Sequence, residues 1–149
     1  MCLILFSVCR PPRYRLVLAA NRDEYYERPA RAAAFWQENP AILGGMDLRS
    51  RGTWLGVTRS GRIAAVTNFR DAGPKKLNAP SRGHLVRGFL EGAEPPDAYL
   101  EWVRDRASQY NGFNLIVGGL SGLYYYSNRR NQILKLSPGL FGLSNHLLN

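Results

Sequence analysis

MCLILFSVCRPPRYRLVLAANRDE, residues 1–24, contains two apolar runs separated by a pair of prolines. The first run is almost continuously apolar and predicts a buried β-strand. Pro11-Pro12 predicts a turn, so the second run is expected to pair with the first as a hairpin. Four polar residues, Asn21-Arg22-Asp23-Glu24, follow the second run directly. Functional side chains are often carried on loops that a rigid scaffold positions, so this stretch indicates both a hairpin and a candidate site.

The rest of the chain predicts further short strands with two helices between them. Ser60-Gly61 indicates a tight hairpin turn, and Gly44-Gly45 predicts another turn. Ser81 is a suitable helix N-cap, Gly92 ends that helix, and Pro95-Pro96 opens the second. The predicted strands are 2–8, 14–20, 33–36, 53–58, 62–68, 113–118, 123–127, 132–136 and 140–143. This order predicts one α+β domain over residues 1–149, with largely antiparallel sheets.

Composition narrows the class of protein. The chain has a formal net charge of +9, from 20 Lys and Arg against 11 Asp and Glu. The basic residues are scattered, which argues against a nucleic-acid-binding tail and leaves that class a weak alternative based on charge alone. The apolar start is too short to span a membrane and lacks the features of a signal peptide. The two cysteines, Cys2 and Cys9, form no disulfide framework, so a cytoplasmic setting is expected.

Cys2 follows the initiator methionine, and small residues in that position favour removal of Met1. Cys2 would then carry a thiol and a free α-amine on one residue. The α-amine titrates near pH 8 and can accept the thiol's proton, which is the N-terminal form of nucleophile-and-base catalysis. A free cysteine that begins a buried strand is also a common packing residue. Both interpretations are open from position alone.

Polar residues after other strands are further candidates. If the first two strands pair, Arg22 and Asp23 come near Cys2, where the arginine would lower the thiol pKa and the aspartate would hold the amine. The alternative is a solvated turn with an Arg–Asp ion pair. Asn68 and Asn145 each follow a strand, and their NH2 groups suit an oxyanion hole. Asparagine is also a common turn former.

Other kinds of site have little support in the sequence. The only histidines are His84 and His146, and no Cys or His spacing typical of a metal site is present, so no metal is expected. The chain has no GxGxxG, no GxxxxGKS and no GxSxG motif. No cofactor is therefore expected.

Several motifs occur together in a recognisable order. They are Met1-Cys2-Leu3-Ile4, residues 18–24 with the tetrapeptide Asn21-Arg22-Asp23-Glu24, and residues 52–57, 67–70, 79–83, 110–115 and 142–145. Together they resemble the NRDE family, also called the transport and Golgi organisation 2 family. Members of that family are similar to cysteine-type N-terminal-nucleophile (Ntn) hydrolases, the relatives of bile-salt hydrolase and penicillin acylases.

The resemblance implies an Ntn-hydrolase-like αββα sandwich that is incomplete at its C-terminus, since family members run longer than this chain. It assigns Cys2 as nucleophile and Arg22 and Asp23 as its flanking residues, with Glu24 competing for the Asp role. It assigns Asn68 and Asn145 to the oxyanion or substrate. The candidate substrate-binding residues are Asn21, Glu24, Trp54 and Phe69.

The function this implies is hydrolysis of a non-peptide linear amide through an acyl-enzyme on Cys2. The substrate would be a small-molecule amide. The alternative is a non-catalytic binding or transfer protein on the same scaffold, concerned with haem or lipid handling or with trafficking. Neither the substrate nor the oligomeric state follows from the sequence.

Overall fold

A computed structural model describes residues 1–10 and 13–149. The predicted α+β order is confirmed, and each strand pair in the described part of the chain is antiparallel. The turn predicted at Pro11-Pro12 lies outside the described residues. The elements are β1 (Leu3–Val8), β2 (Leu16–Asn21), β3 (Ala30–Phe35), β4 (Ile42–Asp47), β5 (Leu55–Thr58), β6 (Ile63–Asn68), α1 (Gly83–Glu91), α2 (Pro96–Arg106), a 3-10 turn (Ala107–Gln109), β7 (Phe113–Gly119), β8 (Gly122–Ser127), β9 (Gln132–Lys135) and β10 (Gly139–Leu143).

The strands form two sheets. The small sheet has three strands in the order β10-β1-β2, and the large sheet has seven in the order β3-β4-β5-β6-β7-β8-β9. The predicted pairing of the first two strands is confirmed, with Leu3 opposite Asn21 and Val8 opposite Leu16. This register puts the start of β1 beside the residues that follow β2. Because β10 flanks β1 on its other edge, the segment after Leu143 also reaches the start of β1.

Two apolar clusters hold the layers together. One lies between the sheets, where Ile4, Phe6 and Val8 of β1 pack against Ile116 and Tyr125 of the large sheet. The other lies on the opposite face of the large sheet, where both helices pack. Alternation along β1 explains the first cluster, because every second residue of a strand points to the same face. The described residues therefore form a helix layer, the large sheet and the small sheet, in that order.

The turn predicted at Gly44-Gly45 is wrong, because both glycines lie inside β4. A Cβ on Gly45 would stand 2.5 Å from the indole of Trp54, and one on Gly44 would stand 2.9 Å from the Leu55 carbonyl oxygen. Glycine is required here by the close approach of β5 and its preceding residue, not by a change of chain direction.

The first helix also begins slightly later than predicted. Its N-cap is Arg82 rather than Ser81, and no side chain caps it. Ser81 instead accepts a hydrogen bond at its main-chain oxygen from the His84 N–H, at 3.1 Å. The predicted end at Gly92 is confirmed, and its N–H donates to the Gly88 oxygen at 3.0 Å.

The outer face of the small sheet, turned away from the large sheet, is apolar. Register places Leu5, Val17 and Leu140 on this face, and they are 50%, 46% and 76% exposed. In the described residues the two α-helices both pack against the large sheet. The outer face is therefore uncovered.

Candidate functional site

Cys2 stands directly before β1, and the loop after β2 closes over it. The Asp23 N–H donates to the Cys2 sulfur at 3.3 Å, and the sulfur is 3.7 Å from the Asp23 carbonyl oxygen. The hairpin register produces this contact, since Asn21 is opposite Leu3 and Asp23 continues past the end of the pairing. The structure thus brings together two residues that are 21 positions apart in sequence.

The residues on both sides of Cys2 are held as well. Asn21 donates from its amide nitrogen to the Met1 carbonyl oxygen at 3.1 Å, and its amide oxygen accepts from the Leu3 N–H at 3.0 Å. The Asp23 carboxylate forms an ion pair with the N-terminal ammonium of Met1. We call Asn21 and Asp23 the N-terminal clasp. Asn21, predicted to bind substrate, uses both ends of its amide to fix the chain around Cys2.

Arg22 lies close enough to Cys2 for its charge to act on the thiol, and its guanidinium contacts two other side chains. Its guanidinium stacks on the Trp54 indole, 4.3 Å from the ring centroid, and pairs with Glu24 at 3.4 Å. Glu24 also lies 3.8 Å from Arg28. Two side chains predicted to bind substrate, Glu24 and Trp54, therefore both contact Arg22 beside Cys2. We call these three residues the Arg22 group.

Asp47, at the end of β4, lies 3.9 Å from Arg22 and pairs with Arg28. The sequence analysis did not identify it. It is 9% exposed and accepts a hydrogen bond from Arg28 Nε at 2.6 Å. The N–H groups of Arg49 and Ser50 each donate to it at 3.0 Å. Burial raises the pKa of Asp47, but these hydrogen bonds and the Arg28 charge outweigh burial and lower it overall. The available signal was an aspartate that ends a strand and opens a turn.

The pKa of the Cys2 thiol departs from expectation. Burial raises it above its ordinary value, and this outweighs the N-terminal ammonium and Arg22, which both lower it. The effect expected of Arg22 is thus present but does not set the direction. With Met1 attached, the protonated thiol is favoured.

The two predicted asparagines meet across the ends of β6 and β10. Asn145 Nδ2 donates to the main-chain oxygen of Asn68 at 2.8 Å, and the Arg70 N–H donates to the main-chain oxygen of Asn145 at 2.8 Å. Asn145 is 8% exposed, and its side-chain oxygen has no hydrogen-bond partner in the described part of the chain. Asn68 is exposed, with its side chain at the cavity wall.

A buried polar chain behind the site supports the segment that carries Asn145. Asn114, which is fully buried, donates to the Thr67 hydroxyl at 3.2 Å and to the His146 main-chain oxygen at 2.7 Å. The Tyr125 hydroxyl donates to Asn114 Oδ1 at 2.8 Å and accepts from the Leu148 N–H at 3.2 Å. Side chains of the large sheet thereby fix the residues after β10. The sequence analysis assigned no role to these hydrogen-bonded residues, Asn114, Thr67 and Tyr125.

Two adjoining cavities open beside Cys2. The first has a volume of about 620 Å³ and the second about 460 Å³. Phe69 lines the first, where its ring lies 5.1 Å from that of His146, and Trp54 lines the second. The residues common to both walls are Cys2, Asp23, Glu24, Asn68, Arg82 and Asn111. Cys2 therefore stands where the two cavities meet, with volumes in the range of small-molecule sites.

Arg82 is a further residue that sequence analysis left without a role. Its guanidinium donates to the Gly112 carbonyl oxygen at 2.9 Å. Burial lowers the pKa of Arg82, and the neighbouring Arg28 charge lowers it further, while Glu24 raises it. A partly desolvated arginine in a cavity wall provides a strong binding group for an anion.

Within residues 1–10 and 13–149, no group of three or more His, Cys, Asp or Glu side chains is arranged to hold a metal ion. No helix among these residues is long and apolar enough to cross a membrane.

Comparison with known proteins agrees with the motifs. The family model described as Transport and Golgi organisation 2 matches residues 1–149. The chain belongs to this family. The predicted resemblance is thus confirmed over the whole chain.

Individual relatives are similar along most of this chain. The Transport and Golgi organization protein 2 homolog of Bos taurus is 44% identical, over 99% of this chain and 58% of its own length. The Homo sapiens homolog is 42% identical over the same shares. Transport and Golgi organization protein 2 of Drosophila melanogaster is 33% identical over 78% of this chain and 45% of its own length. The chain therefore spans just over half the length of the first two relatives.

Proposed function

We propose that Cys2, once Met1 is removed, is the nucleophile of an N-terminal-nucleophile hydrolase that cleaves a small-molecule linear amide. The observation that supports this most is the double contact of Asp23. Its N–H donates to the Cys2 sulfur, and its carboxylate pairs with the N-terminal ammonium. Asp23 thus contacts the thiol and pairs with the chain's terminal amine at the junction of two cavities, and after removal of Met1 the α-amine of Cys2 would be the terminal amine beside it.

The reaction has two steps. The Cys2 thiol attacks the amide carbonyl while its own α-amine accepts the thiol proton, and this proton passes to the leaving nitrogen as the C–N bond breaks. The products are a thioester on Cys2 and a free amine. Water, activated by the same α-amine, then attacks the thioester and releases a carboxylic acid and the thiol.

The developing oxyanion needs hydrogen-bond donors, and the two asparagines differ in what they offer. Asn145 Nδ2 already donates to Asn68, which leaves one N–H, and its oxygen is an acceptor that an oxyanion would avoid. Asn68 presents its amide at the wall shared by both cavities. We assign Asn68 the main oxyanion contact and Asn145 the positioning of Asn68.

Removal of Met1 is the step that would activate the thiol. The N-terminal ammonium lowers the pKa of Cys2 even from Met1, but burial outweighs it. When the α-amine belongs to Cys2 itself, it stands only two bonds from the thiol-bearing carbon. Its stronger effect and its role as proton acceptor then favour the thiolate.

The finer fold follows from the same proposal. An Ntn-type αββα sandwich has a second helix layer on the outer face of its other sheet. The uncovered apolar face of the small sheet, with Leu5, Val17 and Leu140, is where such a layer would pack. The greater length of the relatives is consistent with this arrangement.

The test compares two forms of the protein: one that retains Met1 and one released by a site-specific protease so that it begins at Cys2. Intact mass establishes each N-terminus. Both forms are incubated with p-nitrophenyl hexanoate at neutral pH, and the acylated residue is located by mass spectrometry. We expect acylation at Cys2 in the second form, faster than that of a free cysteine peptide. Acylation no faster than the peptide would contradict the proposal.

A second candidate function is non-catalytic binding on this scaffold. The specific observation in its favour is that burial raises the pKa of Cys2 while Met1 is attached. A protein that keeps Met1 would therefore have a protonated thiol, which is compatible with binding but not with catalysis. The names of the relatives refer to transport and Golgi organisation. Haem titration followed by absorbance, and lipid capture followed by native mass spectrometry, test this function. Binding that survives Cys2→Ala, without any acyl-enzyme in the wild type, would favour it.

A further inference from the structure

The first cavity contains basic groups that its acidic residues do not neutralise. Its lining includes three carboxylates, and each of them is already in an ion pair. The pairs are Met1–Asp23, Arg22–Glu24 and Arg129–Asp71. Carboxylates engaged in this way contribute little free negative charge to the cavity.

Three basic side chains line the same cavity without such partners: Arg70, Lys75 and Arg82. In the described part of the chain, none of them has a carboxylate at ion-pair distance. The hydrogen bond that Arg82 makes to Gly112 satisfies one of its five N–H groups. The cavity wall therefore presents three basic groups that no carboxylate of the described residues pairs with, while its three carboxylates are each paired with a basic group from outside the wall.

A second feature of this cavity points to a ligand. Asn145, which also lines it, is more than nine-tenths buried and has a side-chain oxygen without a donor. The hydrogen bond from its Nδ2 to Asn68 fixes which end of the amide is the oxygen. A buried acceptor that lacks a donor is costly unless a ligand supplies one. An amide N–H is such a donor.

We propose that the ligand of this site is an amide that carries an anionic group, a carboxylate or a phosphate. The anion contacts Arg70, Lys75 and Arg82, and the amide N–H donates to Asn145. Guanidinium groups bind both kinds of anion in a bidentate manner, so the two share one chemistry. The inference deepens the proposed function, on which it rests for the cleavage of the amide, and its binding step is testable without that cleavage.

The test uses the Cys2→Ala protein, in which no acylation occurs, and measures Kd by chemical-shift titration. The probes are the monoamides of glutaric and suberic acid, their phosphonate counterparts, and the neutral diamides of the same two lengths. We expect an anionic monoamide to bind at least about tenfold more tightly than its diamide, because charge-assisted hydrogen bonds are roughly twice as strong as neutral ones. A comparison of the carboxylate and phosphonate series distinguishes the two anions.

Variants locate the charge. Arg70→Gln with Lys75→Gln changes two exposed residues and is expected to reduce the anionic preference to about twofold or less, as expected when two charged contacts are lost. Arg82→Gln is expected to act in the same direction, but it also removes the bond to Gly112, so the double variant carries the test. Arg13→Gln, beyond the far end of β1, is the matched control and should leave the preference unchanged.

Equal affinity for monoamide and diamide, absence of binding by every probe, or an anionic preference that persists in the double variant would each overturn the inference. These results are distinct from failure of the proposed function. Anionic preference in Cys2→Ala together with no acylation of the Cys2-starting form would leave an anion-binding amide site without hydrolysis.

Discussion

The two ends of the β1 region each carry a cysteine, and the surroundings of the two thiols differ in burial, hydrogen bonding and polarity. Cys2 is partly buried, accepts a hydrogen bond from Asp23 and lies at the junction of two polar cavities. Cys9 is exposed, has a φ of 49° and borders an apolar groove of about 350 Å³. Leu16, Leu120 and Leu123 are among the residues that line this groove.

The difference shows that the strand itself does not decide the chemistry of its cysteines. What decides it is the set of chain segments that strand pairing and the packing of the two sheets bring to each end of β1. The Cys2 end receives the polar residues after β2 and the segment after β10. The Cys9 end receives the turn between β7 and β8, where Arg15 donates to the Leu120 carbonyl oxygen at 2.8 Å.

Replacement of each cysteine in turn should give contrasting effects on the rate of acylation. In the form that begins at residue 2, Cys2→Ala should abolish acylation by p-nitrophenyl hexanoate, because the nucleophile is absent. Cys9→Ala should leave the rate within about twofold of the wild type, since an exposed substitution outside the site changes little. Both rates come from the release of p-nitrophenol. Acylation that is lost with Cys9 rather than with Cys2 would reverse the comparison.

Asp47→Ala should destabilise the fold beside Cys2, because Asp47 pairs with Arg28 and lies near Arg22. The change removes the acceptor of Arg28, Arg49 and Ser50 and should lower the free energy of unfolding by about 2 kcal/mol, as expected when partly buried donors lose their acceptor. Asp105→Ala, at an exposed position of α2, is the control and should stay within about 0.5 kcal/mol. Urea unfolding at neutral pH measures both.

The effect of Asp47→Ala should depend on pH in a defined direction. The folded-state pKa of Asp47 lies below its ordinary value of 3.8. The stability it contributes is therefore complete above that ordinary value and is lost as the pH falls through the lower folded-state pKa. The difference between wild type and variant should shrink in acid. A difference that grows as the pH falls would be incompatible with the ion-pair role.

Tyr125→Phe tests the buried chain that supports Asn145. Loss of the hydroxyl leaves Asn114 Oδ1 and the Leu148 N–H without partners, which should cost about 2 kcal/mol. Tyr124→Phe, on the adjacent position of β8, is the matched control because its ring packs without a hydroxyl hydrogen bond in the described structure. Urea unfolding compares the two. Equal loss in both variants would show that the hydroxyl of Tyr125 is not a support.

Cys9→Gly should produce the smallest change and the opposite sign. A left-handed backbone strains a side-chain-bearing residue, so glycine should stabilise the protein by roughly 0.5 kcal/mol, the relief of strain being partly offset by the entropy of the unfolded chain. Ser7→Gly, inside β1, should destabilise by a similar amount because glycine weakens a strand interior. Thermal unfolding resolves the two directions. Destabilisation by Cys9→Gly would show that the thiol packs usefully at this end.

Sequence patterns predicted the elements whose contacts are local. The apolar runs of β1 and β2 and the polar residues after them were sufficient to place Asp23 beside Cys2, because a hairpin has a short connection and a defined register. The turn at Gly61, with a φ of 85°, was predictable for the same reason. Gly44 and Gly45 have the local pattern of a turn, whereas the close approach of Trp54 and Leu55 that requires glycine there is not visible in a local pattern.

The parts that were missed depend on long-range pairing. Asn114 meets Thr67 only because β6 pairs with β7, across 47 residues of sequence. Asp47 meets Arg28 because β3 and β4 bring their outer ends together. The direction of the Cys2 pKa is likewise a property of burial in the assembled fold, and burial competes with charges whose signs the sequence does show.

The N-terminal clasp bears on whether Met1 can be removed after the protein has folded. In the folded protein the ammonium of Met1 is held by Asp23 and its carbonyl by Asn21. A peptidase must reach both groups to remove the residue, so a chain that folds first must open the clasp again before it can be trimmed. Under the proposed function, removal of Met1 and folding would therefore compete, and the speed with which β1 and β2 pair would set the time available for that removal.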